Sequence, residues 1–293
     1  MNLDHLQLAD ALREATGILT AAGVPSPRVD AELLAGHLLG ESRGRVAALA
    51  LLDTPTPAGF HELITQRAQR IPLQHLTGRA PFRGLELTVG PGVFVPRFET
   101  EILVEHALAE VHAVLAAKGS CAVLDLATGS GAIALAIKTE APHAEVTAVE
   151  LSELAIAWAN ENLVGSGVKL VHGDLRTAVP EMADSLDVLV SNPPYIPADQ
   201  VPIEQEVHEH DPQLALYGGG EDGLELPLAV ATRGVELLAP GGLLLMEHAE
   251  CQGAALRNAI ARHPELAGHY ETAHTHQDLA GKDRITVARK VKQ

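Results

Sequence analysis

Residues 191–196 read SNPPYI and follow the apolar run SLDVLV, which predicts a buried β-strand. Two adjacent prolines end such a strand, because proline lacks the backbone N–H that a sheet requires. The break suits a planar amino or amide group, since the Asn192 side-chain oxygen can accept one N–H and the Pro193 carbonyl the other. Tyr195, after Pro194, can stack its ring on the same flat group. The stretch therefore predicts a clamp that aims an –NH2 nitrogen at an electrophile without a general base, although a loop with a capping Asn and a packed Tyr is the plain alternative.

A glycine loop stands earlier in the chain. The stretch LDLATGSGAIAL places Gly129 and Gly131 between an apolar strand and a helix. Because glycine has no side chain, the backbone amides and the helix N-terminus can approach a ligand closely there. The spacing fits G-x-G-x-x-A, a pattern that serves dinucleotides and other adenosine ligands alike. It predicts a cofactor that contains adenosine.

Three acidic residues lie near strand ends around this loop. Glu150 ends the second predicted strand, where its carboxylate can accept hydrogen bonds from both hydroxyls of a ribose. Asp174 ends the third strand and can contact an adenine edge, while Asp125 lies inside the first strand next to the loop. The alternative is that Glu150 and Asp174 only cap the helices that follow them. Up to residue 174 a nicotinamide dehydrogenase fits equally well, and the Asn-Pro-Pro-Tyr stretch decides against it.

The apolar periods divide the chain into three parts. Residues 1–75 alternate helical periods with start signals, such as Thr56 before Pro57, and predict a small helical bundle. Residues 76–98 contain FRGLELTVGPGVFV and predict a β-hairpin linker. Residues 99–293 alternate strands and helices and end in two strands with no helix between them. The predicted fold class is α/β, with a doubly wound, mostly parallel, seven-stranded Rossmann-like sheet and a C-terminal antiparallel hairpin.

Composition limits the classes of partner. The 293 residues include 38 acidic and 21 basic side chains, for a formal net charge of -17, which disfavours a broad surface for nucleic acid or anionic membrane. Two distant cysteines and an N-terminal stretch interrupted by acids predict a cytoplasmic protein with neither a signal peptide nor a membrane span. The histidines of VHEHDP fall in what we interpret as a solvated or substrate-covering loop, so we expect no metal site.

Six stretches taken together resemble one family. They read RIPLQHLTG, FRGLELTVGPGVFVPRFETEILVEHAL, LDLATGSGAIALAI, VSNPPYI, DPQLALYGGGEDGLE and GKDRITVARK. In order and spacing they resemble the release factor glutamine methyltransferases, which are class I S-adenosylmethionine-dependent methyltransferases. The resemblance runs from about residue 70 to the C-terminus and follows a helical region of the expected size.

This resemblance implies transfer of a methyl group from S-adenosyl-L-methionine to the side-chain amide nitrogen of the glutamine in the Gly-Gly-Gln loop of peptide chain release factors. It also implies that the helical domain recognises this protein substrate. The implied cofactor contacts are Asp125, Ala127, Thr128, Gly129, Ser130, Gly131, Glu150, Asp174, Leu175 and Asn192. The implied substrate-binding residues are Asn192, Pro193, Pro194 and Tyr195, and of these Asn192, Pro193 and Tyr195 are also the implied catalytic residues.

Four positions depart from the family pattern, among them Asp211, where glutamate is common, and Ala249, where glycine is frequent. Ala127 stands where glycine is usual, and we expect a small effect on cofactor affinity unless the backbone there requires a positive φ. Phe98 stands where proline is usual. Two other functions also fit the motifs. An adenine amino-group methyltransferase acting on DNA or RNA would require a basic groove, and a non-catalytic adenosine-binding protein would have no need for the clamp.

Overall fold

Strands and helices alternate as the sequence predicts in the computed structural model, which describes residues 2–292. The chain divides into two compact units. The first comprises residues 2–79 together with residues 203–210, and the second comprises residues 80–202 and 211–292. A short segment that follows the Asn-Pro-Pro-Tyr stretch therefore belongs to the helical unit.

Helices make up most of the first unit. Their bounds are α1 Leu8–Ala21, α2 Pro27–Leu39, α3 Arg43–Leu49, α4 Phe60–Ala68 and α5 Leu73–Thr77, and a 3₁₀ turn, Leu3–His5, precedes them. Their apolar faces enclose one core, in which Leu12, Leu34 and Phe60 are fully buried. Burial of each such side chain contributes about 1.5–3 kcal/mol before the cost of ordering the chain is subtracted.

The start of α4 differs from the sequence prediction. The helix begins three residues after Pro57 rather than directly at the Thr56-Pro57 signal. The Asp4 carboxylate accepts hydrogen bonds from the amides of Gly59, at 3.1 Å, and His61, at 2.9 Å. An acidic side chain at a helix N-terminus satisfies amides that have no partner within the helix. Because this cap comes from a distant part of the chain, local sequence signals do not show it.

A short hairpin leads into the second unit. Its strands are β1 Arg79–Phe82 and β2 Leu85–Thr88, which form a two-stranded sheet. The elements that follow are α6 Thr100–Lys118, β3 Cys121–Leu126, α7 Ala132–Glu140, β4 Ala144–Glu150, α8 Glu153–Leu163, β5 Lys169–His172, β6 Leu186–Ser191, α9 Gln205–His210, α10 Glu225–Leu237, β7 Leu238–Glu247, α11 Gly253–Arg262, β8 His274–Gln277 and β9 Asp283–Arg289. Between residues 2 and 292 no helix has the length and apolar character that a membrane crossing requires.

Seven of the described strands form one sheet, in the order β5-β4-β3-β6-β7-β9-β8. The first five of that order pair in parallel, and β9 pairs antiparallel with both β7 and β8. The carboxyl ends of β3 to β7 therefore lie along one edge of the sheet. The predicted α/β fold, with its mostly parallel seven-stranded sheet and C-terminal antiparallel hairpin, is confirmed.

Both faces of the sheet are buried. Alternate residues of the central strands point to opposite sides, so that Val188 and Val190 of β6 join one core while Leu189 joins the other. Helices α6, α7 and α8 cover the first face, and α10 and α11 cover the second. Strands covered on both faces read as continuous apolar runs, which explains why the sequence predicts them clearly.

The segment that returns to the helical unit forms α9. The sequence interpretation of VHEHDP as a loop is wrong for its first four residues, which lie in this short helix. Glu206 of α9 accepts hydrogen bonds from the side chains of Arg67, at 2.9 Å, and Arg70, at 2.8 Å. Arg67 is buried and also donates to Asp30 at 2.8 Å. We call Asp30, Arg67, Arg70 and Glu206 the arginine cluster.

Candidate active site

The two predicted motifs meet at the switch point of the sheet. From β3 the chain continues to β4 on one side, and it later reaches β6 on the other side of β3. Such a reversal opens a crevice at the carboxyl ends of the strands. The register places Leu126 opposite Ser191, so that the loop of residues 127–131 and Asn192 follow neighbouring strand ends. The structure therefore brings the predicted cofactor loop and the predicted clamp together.

Hydrogen bonds from its surroundings fix the glycine loop. The Gly131 amide donates to the Thr128 carbonyl at 2.9 Å, and the Asn162 side chain donates to the Ser130 carbonyl at 2.9 Å. Thr128 and Ser130 are buried. A Cβ added at Gly129 would meet no heavy atom within 4 Å, so space is open in front of the loop. The loop is thus held in place and accessible to a ligand.

Ala127 has a φ of 58°, in the left-handed region that favours glycine. From the sequence we expect Ala127 to have a small effect on cofactor affinity unless the backbone there requires a positive φ. The backbone at this position does require one. An L-residue with a Cβ pays about 1 kcal/mol in this conformation. This departure from the family pattern thus puts strain at the first residue of the glycine loop.

The Glu150 carboxylate ties the loop to the end of β4. It accepts hydrogen bonds from the amides of Gly129, at 2.8 Å, Leu151, at 3.0 Å, and Ser152, at 2.8 Å. Burial raises the pKa of Glu150, and these amide hydrogen bonds act against that rise. The helix that follows is capped by Ser152, whose hydroxyl accepts from the Ala155 amide. The role of Glu150 is therefore not to cap this helix. A carboxylate can accept about four hydrogen bonds, so Glu150 can still accept one from a ligand hydroxyl.

Asp125 lies beneath the loop rather than facing the crevice. It is fully buried and accepts a hydrogen bond from the Thr128 hydroxyl at 2.5 Å. Burial raises the pKa of Asp125 to about 7, against the hydrogen bonds from Thr128 and the Ala134 amide. In this arrangement Asp125 supports Thr128, and it does not offer its carboxylate to a ligand.

Asp174 lies two residues beyond the end of β5, in a turn rather than in the strand itself. Its carboxylate accepts hydrogen bonds from the Arg176 amide, at 2.9 Å, and from the Arg176 guanidinium, at 2.6 Å. The Arg176 hydrogen bond lowers the pKa of Asp174. Leu175 is buried beside it. An adenine edge would meet this pair at the rim of the sheet, with the aspartate already paired.

Asn192 follows β6 with its amide held from one side. The Nδ2 atom donates to the Thr100 hydroxyl at 3.2 Å, and the Asn192 side chain lies close enough to Glu247 to lower the pKa of that acid. Thr100 is the first residue of α6 and is buried, and Glu247 is the last residue of β7. The Nδ2 end of the amide therefore faces protein groups, which leaves its oxygen available as an acceptor.

The backbone of the clamp is supported from below. Pro193 and Pro194 are buried, and the Tyr195 carbonyl accepts a hydrogen bond from the Gln252 side chain at 2.8 Å. A Cβ added at Gly223 would lie 2.2 Å from the same carbonyl oxygen, so only glycine fits there. The glycine-rich stretch YGGGEDGLE thus packs directly against the clamp.

Charged side chains surround the half-buried Tyr195. Burial raises the pKa of its phenol, and the nearby Glu247 raises it further, whereas Arg284 and Arg97 lower it. The sequence reasoning did not single out Thr100, Glu247 or Arg284. Glu247 could have been found by the argument that selected Glu150, because it too ends a parallel strand on the same edge.

The residues of the crevice fit an adenosine cofactor. The open face at Gly129, the fixed Glu150 carboxylate and the apolar Leu175 supply an approachable backbone, an acceptor for a ribose hydroxyl and a surface for a base. Among residues 2–292 no group of three or more His, Cys, Asp or Glu side chains could hold a metal ion. The crevice offers backbone and carboxylate groups to which an organic cofactor could bind.

Comparisons with known proteins cover nearly the whole chain. Two family models match, the PrmC N-terminal domain over residues 10–78 and the methyltransferase small domain over residues 87–215. A release factor glutamine methyltransferase of Streptomyces coelicolor is 46% identical over 287 residues, which are 98% of this chain and 99% of that protein. Another of the same name, from Mycolicibacterium smegmatis, is 40% identical over 97% of this chain and 98% of its own.

A further relative has a different substrate in its name. The 4-amino-L-phenylalanine/4-methylamino-L-phenylalanine methyltransferase of Streptomyces pristinaespiralis is 41% identical over 85% of each chain. The predicted methyltransferase activity and the predicted cofactor, S-adenosyl-L-methionine, are confirmed, and the dehydrogenase that the glycine loop alone would allow is excluded. The chain belongs to the release factor glutamine methyltransferase family.

Proposed function

We propose that the protein transfers the methyl group of S-adenosyl-L-methionine to the side-chain amide nitrogen of the glutamine in the Gly-Gly-Gln loop of peptide chain release factors. The observation that supports this most is the position of Asn192, which follows the strand end opposite the glycine loop and whose amide donates to Thr100. An acceptor fixed at that place suits a planar –NH2 group. The relatives from S. coelicolor and M. smegmatis are named for the same reaction.

The clamp would act on a weak nucleophile. The nitrogen lone pair of a glutamine amide is delocalised into its carbonyl, so orientation and exclusion of water matter more than proton removal. We propose that the Asn192 oxygen and the Pro193 carbonyl accept the two N–H bonds, and that the Tyr195 ring covers the flat group. When bound, S-adenosyl-L-methionine would supply an electrophilic methyl group and retain the sulfur as a neutral thioether. The methylated nitrogen would then lose one proton to solvent.

The shape of the substrate follows from the same geometry. The amide must reach the clamp while the backbone on either side of the glutamine passes close to the rim. Glycines beside the glutamine permit that approach without side-chain clashes, which is a physical reason for a Gly-Gly-Gln loop. We propose that the helical unit, predicted from the sequence as residues 1–75, grips the release factor away from the reaction. Such remote contacts supply specificity that one glutamine cannot.

A small aromatic amine is a second candidate substrate. The relative from S. pristinaespiralis, 41% identical, is named for 4-amino-L-phenylalanine. An aniline-type –NH2 group is planar and would fit the same acceptors and the same stacking ring. An adenine amino group fits the clamp too, but the net charge of -17 disfavours a nucleic acid substrate.

The experiment supplies cofactor labelled in its methyl group together with one substrate at a time. The substrates are an intact release factor, the same release factor with its Gly-Gly-Gln glutamine changed to alanine, 4-amino-L-phenylalanine, and DNA or ribosomal RNA. We expect label in the intact release factor and none in its alanine variant. Label that enters the amino acid or the nucleic acid preferentially, or that persists in the alanine variant, would show that the substrate assignment is wrong.

A further inference from the structure

Glu247 is a buried acid at the clamp. It ends β7, which lies beside β6 in the sheet, and the register places Ser191 opposite Met246. Asn192 and Glu247 are the next residues on these two strands, so they are neighbours. The Glu247 residue is only 3% exposed, and its Oε2 atom has no hydrogen-bond partner among the described residues. An acid buried at such cost in a strand end is expected to have a task there.

The orientation of the Asn192 amide depends on what faces each of its ends. Its Nδ2 donates to the Thr100 hydroxyl at 3.2 Å, and the Thr100 and Asn192 side chains lie close enough to Glu247 to lower the pKa of that acid. A carboxylate accepts hydrogen bonds and donates none. With the amide reversed, its oxygen would face that carboxylate, and two acceptors would then oppose each other with no proton between them. The ionised acid therefore favours the orientation in which the Asn192 oxygen points away from Glu247.

We propose that Glu247 is a positioning residue: its carboxylate, together with the Thr100 hydroxyl, holds the Asn192 amide so that the oxygen faces the substrate nitrogen. This inference rests on the proposed function, because it explains how the Asn192 oxygen, on which that function depends, is oriented. It adds to Asn192, Pro193 and Tyr195 of the clamp a further residue, contributed by a different strand, that touches neither the substrate nor the cofactor.

The protonation state of Glu247 then controls the clamp. Burial raises its pKa to about 7, while the hydrogen bond from Thr100 and the charge of Arg284 act against that rise and the charge of Glu99 adds to it. Tyr195 faces the same acid. Below this pKa the acid is neutral and can donate its proton, which removes the preference for one amide orientation. Methyl transfer should therefore increase as the pH rises through about 7 and level off above it.

The test uses the full chain and two readouts. The first is kcat against pH for wild type, Glu247→Gln, and Glu110→Gln as a control, since Glu110 pairs with Arg289 outside the crevice. Asp125 titrates in the same range. The contribution of Glu247 is therefore the difference between the kcat–pH profiles of wild type and Glu247→Gln. The second is the nitrogen resonance of the Asn192 side-chain amide in wild type, assigned by its loss in Asn192→Ala and followed from acid to neutral pH without substrate or cofactor.

We expect Glu247→Gln to lower kcat at neutral pH by about 10- to 100-fold and to bind the cofactor as wild type does. We also expect this variant to lose the part of the acid limb, the fall of kcat at low pH, that is due to Glu247. We expect the Asn192 resonance to shift with a midpoint near that limb. An unchanged kcat and acid limb in Glu247→Gln, or an Asn192 resonance that does not respond to pH, would overturn the inference. A wild-type protein that transfers no methyl group to the release factor would instead contradict the proposed function, and the Asn192 resonance would still test the positioning role.

Discussion

At the residue scale, the Glu150 carboxylate holds three backbone amides, and we propose that it also accepts a ribose hydroxyl. Glu150→Ala should weaken cofactor binding by about 1.5–3 kcal/mol, the usual value of a hydrogen bond to a charged group. The comparison is calorimetric titration against Glu145→Ala, an exposed residue of the same strand. Equal affinity in wild type and Glu150→Ala would show that this acid does not contact the cofactor.

The pKa of Glu150 adds a pH dependence to this binding. Burial raises that pKa above its usual value, so protonation removes the acceptor sooner than in a solvated glutamate. Cofactor affinity should therefore fall as the pH decreases through the raised pKa, and the Glu150→Ala variant should show less of this fall. Calorimetry over an acidic to neutral series measures both.

Strain at Ala127 makes a separate prediction about stability. Ala127→Gly should raise the free energy of unfolding by about 1 kcal/mol, because glycine adopts a positive φ without a Cβ clash. Ala113→Gly, in the exposed middle of α6, should lower it by about the same amount. Urea unfolding distinguishes the two. If Ala127→Gly is less stable than wild type, then the backbone at this position is not strained by alanine.

The candidate site residues that lie at the ends of strands could be predicted from the sequence. Glu150 and Asn192 follow apolar runs that could only be buried strands, and parallel pairing then placed both on one edge. The burial of Asp125 could not be read from its neighbours, because an acid next to a glycine loop looks like a ligand contact. The φ of Ala127 also had no local signal, since only the folded loop requires it.

At the scale of elements, α9 is the feature that the sequence did not predict. Its stretch is short and polar, and its helix is held by the arginine cluster, whose members are far apart in the chain. Burial alone would raise the pKa of Glu206. The hydrogen bonds from Arg70 and Arg67 outweigh burial and lower that pKa to about 2. Pairing of this kind depends on tertiary structure and has no periodic signature.

The arginine cluster predicts an acid-sensitive stability. Glu206→Gln should lower the free energy of unfolding at neutral pH by about 1.5–3 kcal/mol, because it leaves Arg67 and Arg70 without their charged partner. Since the folded pKa is about 2 and the ordinary value 4.5, this contribution is complete above pH 4.5 and is lost as the pH falls toward 2. Urea unfolding followed by circular dichroism at several pH values should show the gap to wild type closing over that range.

The matched control for this experiment is Glu14→Gln, an exposed position on α1. It should unfold as wild type does at every pH. A Glu206→Gln variant that is as stable as wild type at neutral pH would show that the arginine cluster does not hold α9.

At the scale of the whole molecule, the two units share the chain in an interleaved order. Residues 203–210 belong to the helical unit, although residues 80–202 and 211–292 belong to the other. Deleting residues 1–70 to test substrate recognition would therefore also remove the partners of Glu206 and disturb the segment after the clamp. Substitutions of exposed side chains on α1 and α2 are the better test, because they leave the arginine cluster intact.

The most direct measurement of the central claim is fragment mass analysis of a release factor after incubation with S-adenosyl-L-methionine and either wild type, Asn192→Ala or the exposed-site control Asn160→Ala. We expect one methyl group on the side-chain nitrogen of the Gly-Gly-Gln glutamine with wild type and with Asn160→Ala. With Asn192→Ala at saturating cofactor, the rate should fall by about 100-fold or more, as for the loss of one preorganised electrostatic group. A methyl group on any other residue, or an Asn192→Ala variant that reacts at the wild-type rate, would contradict it.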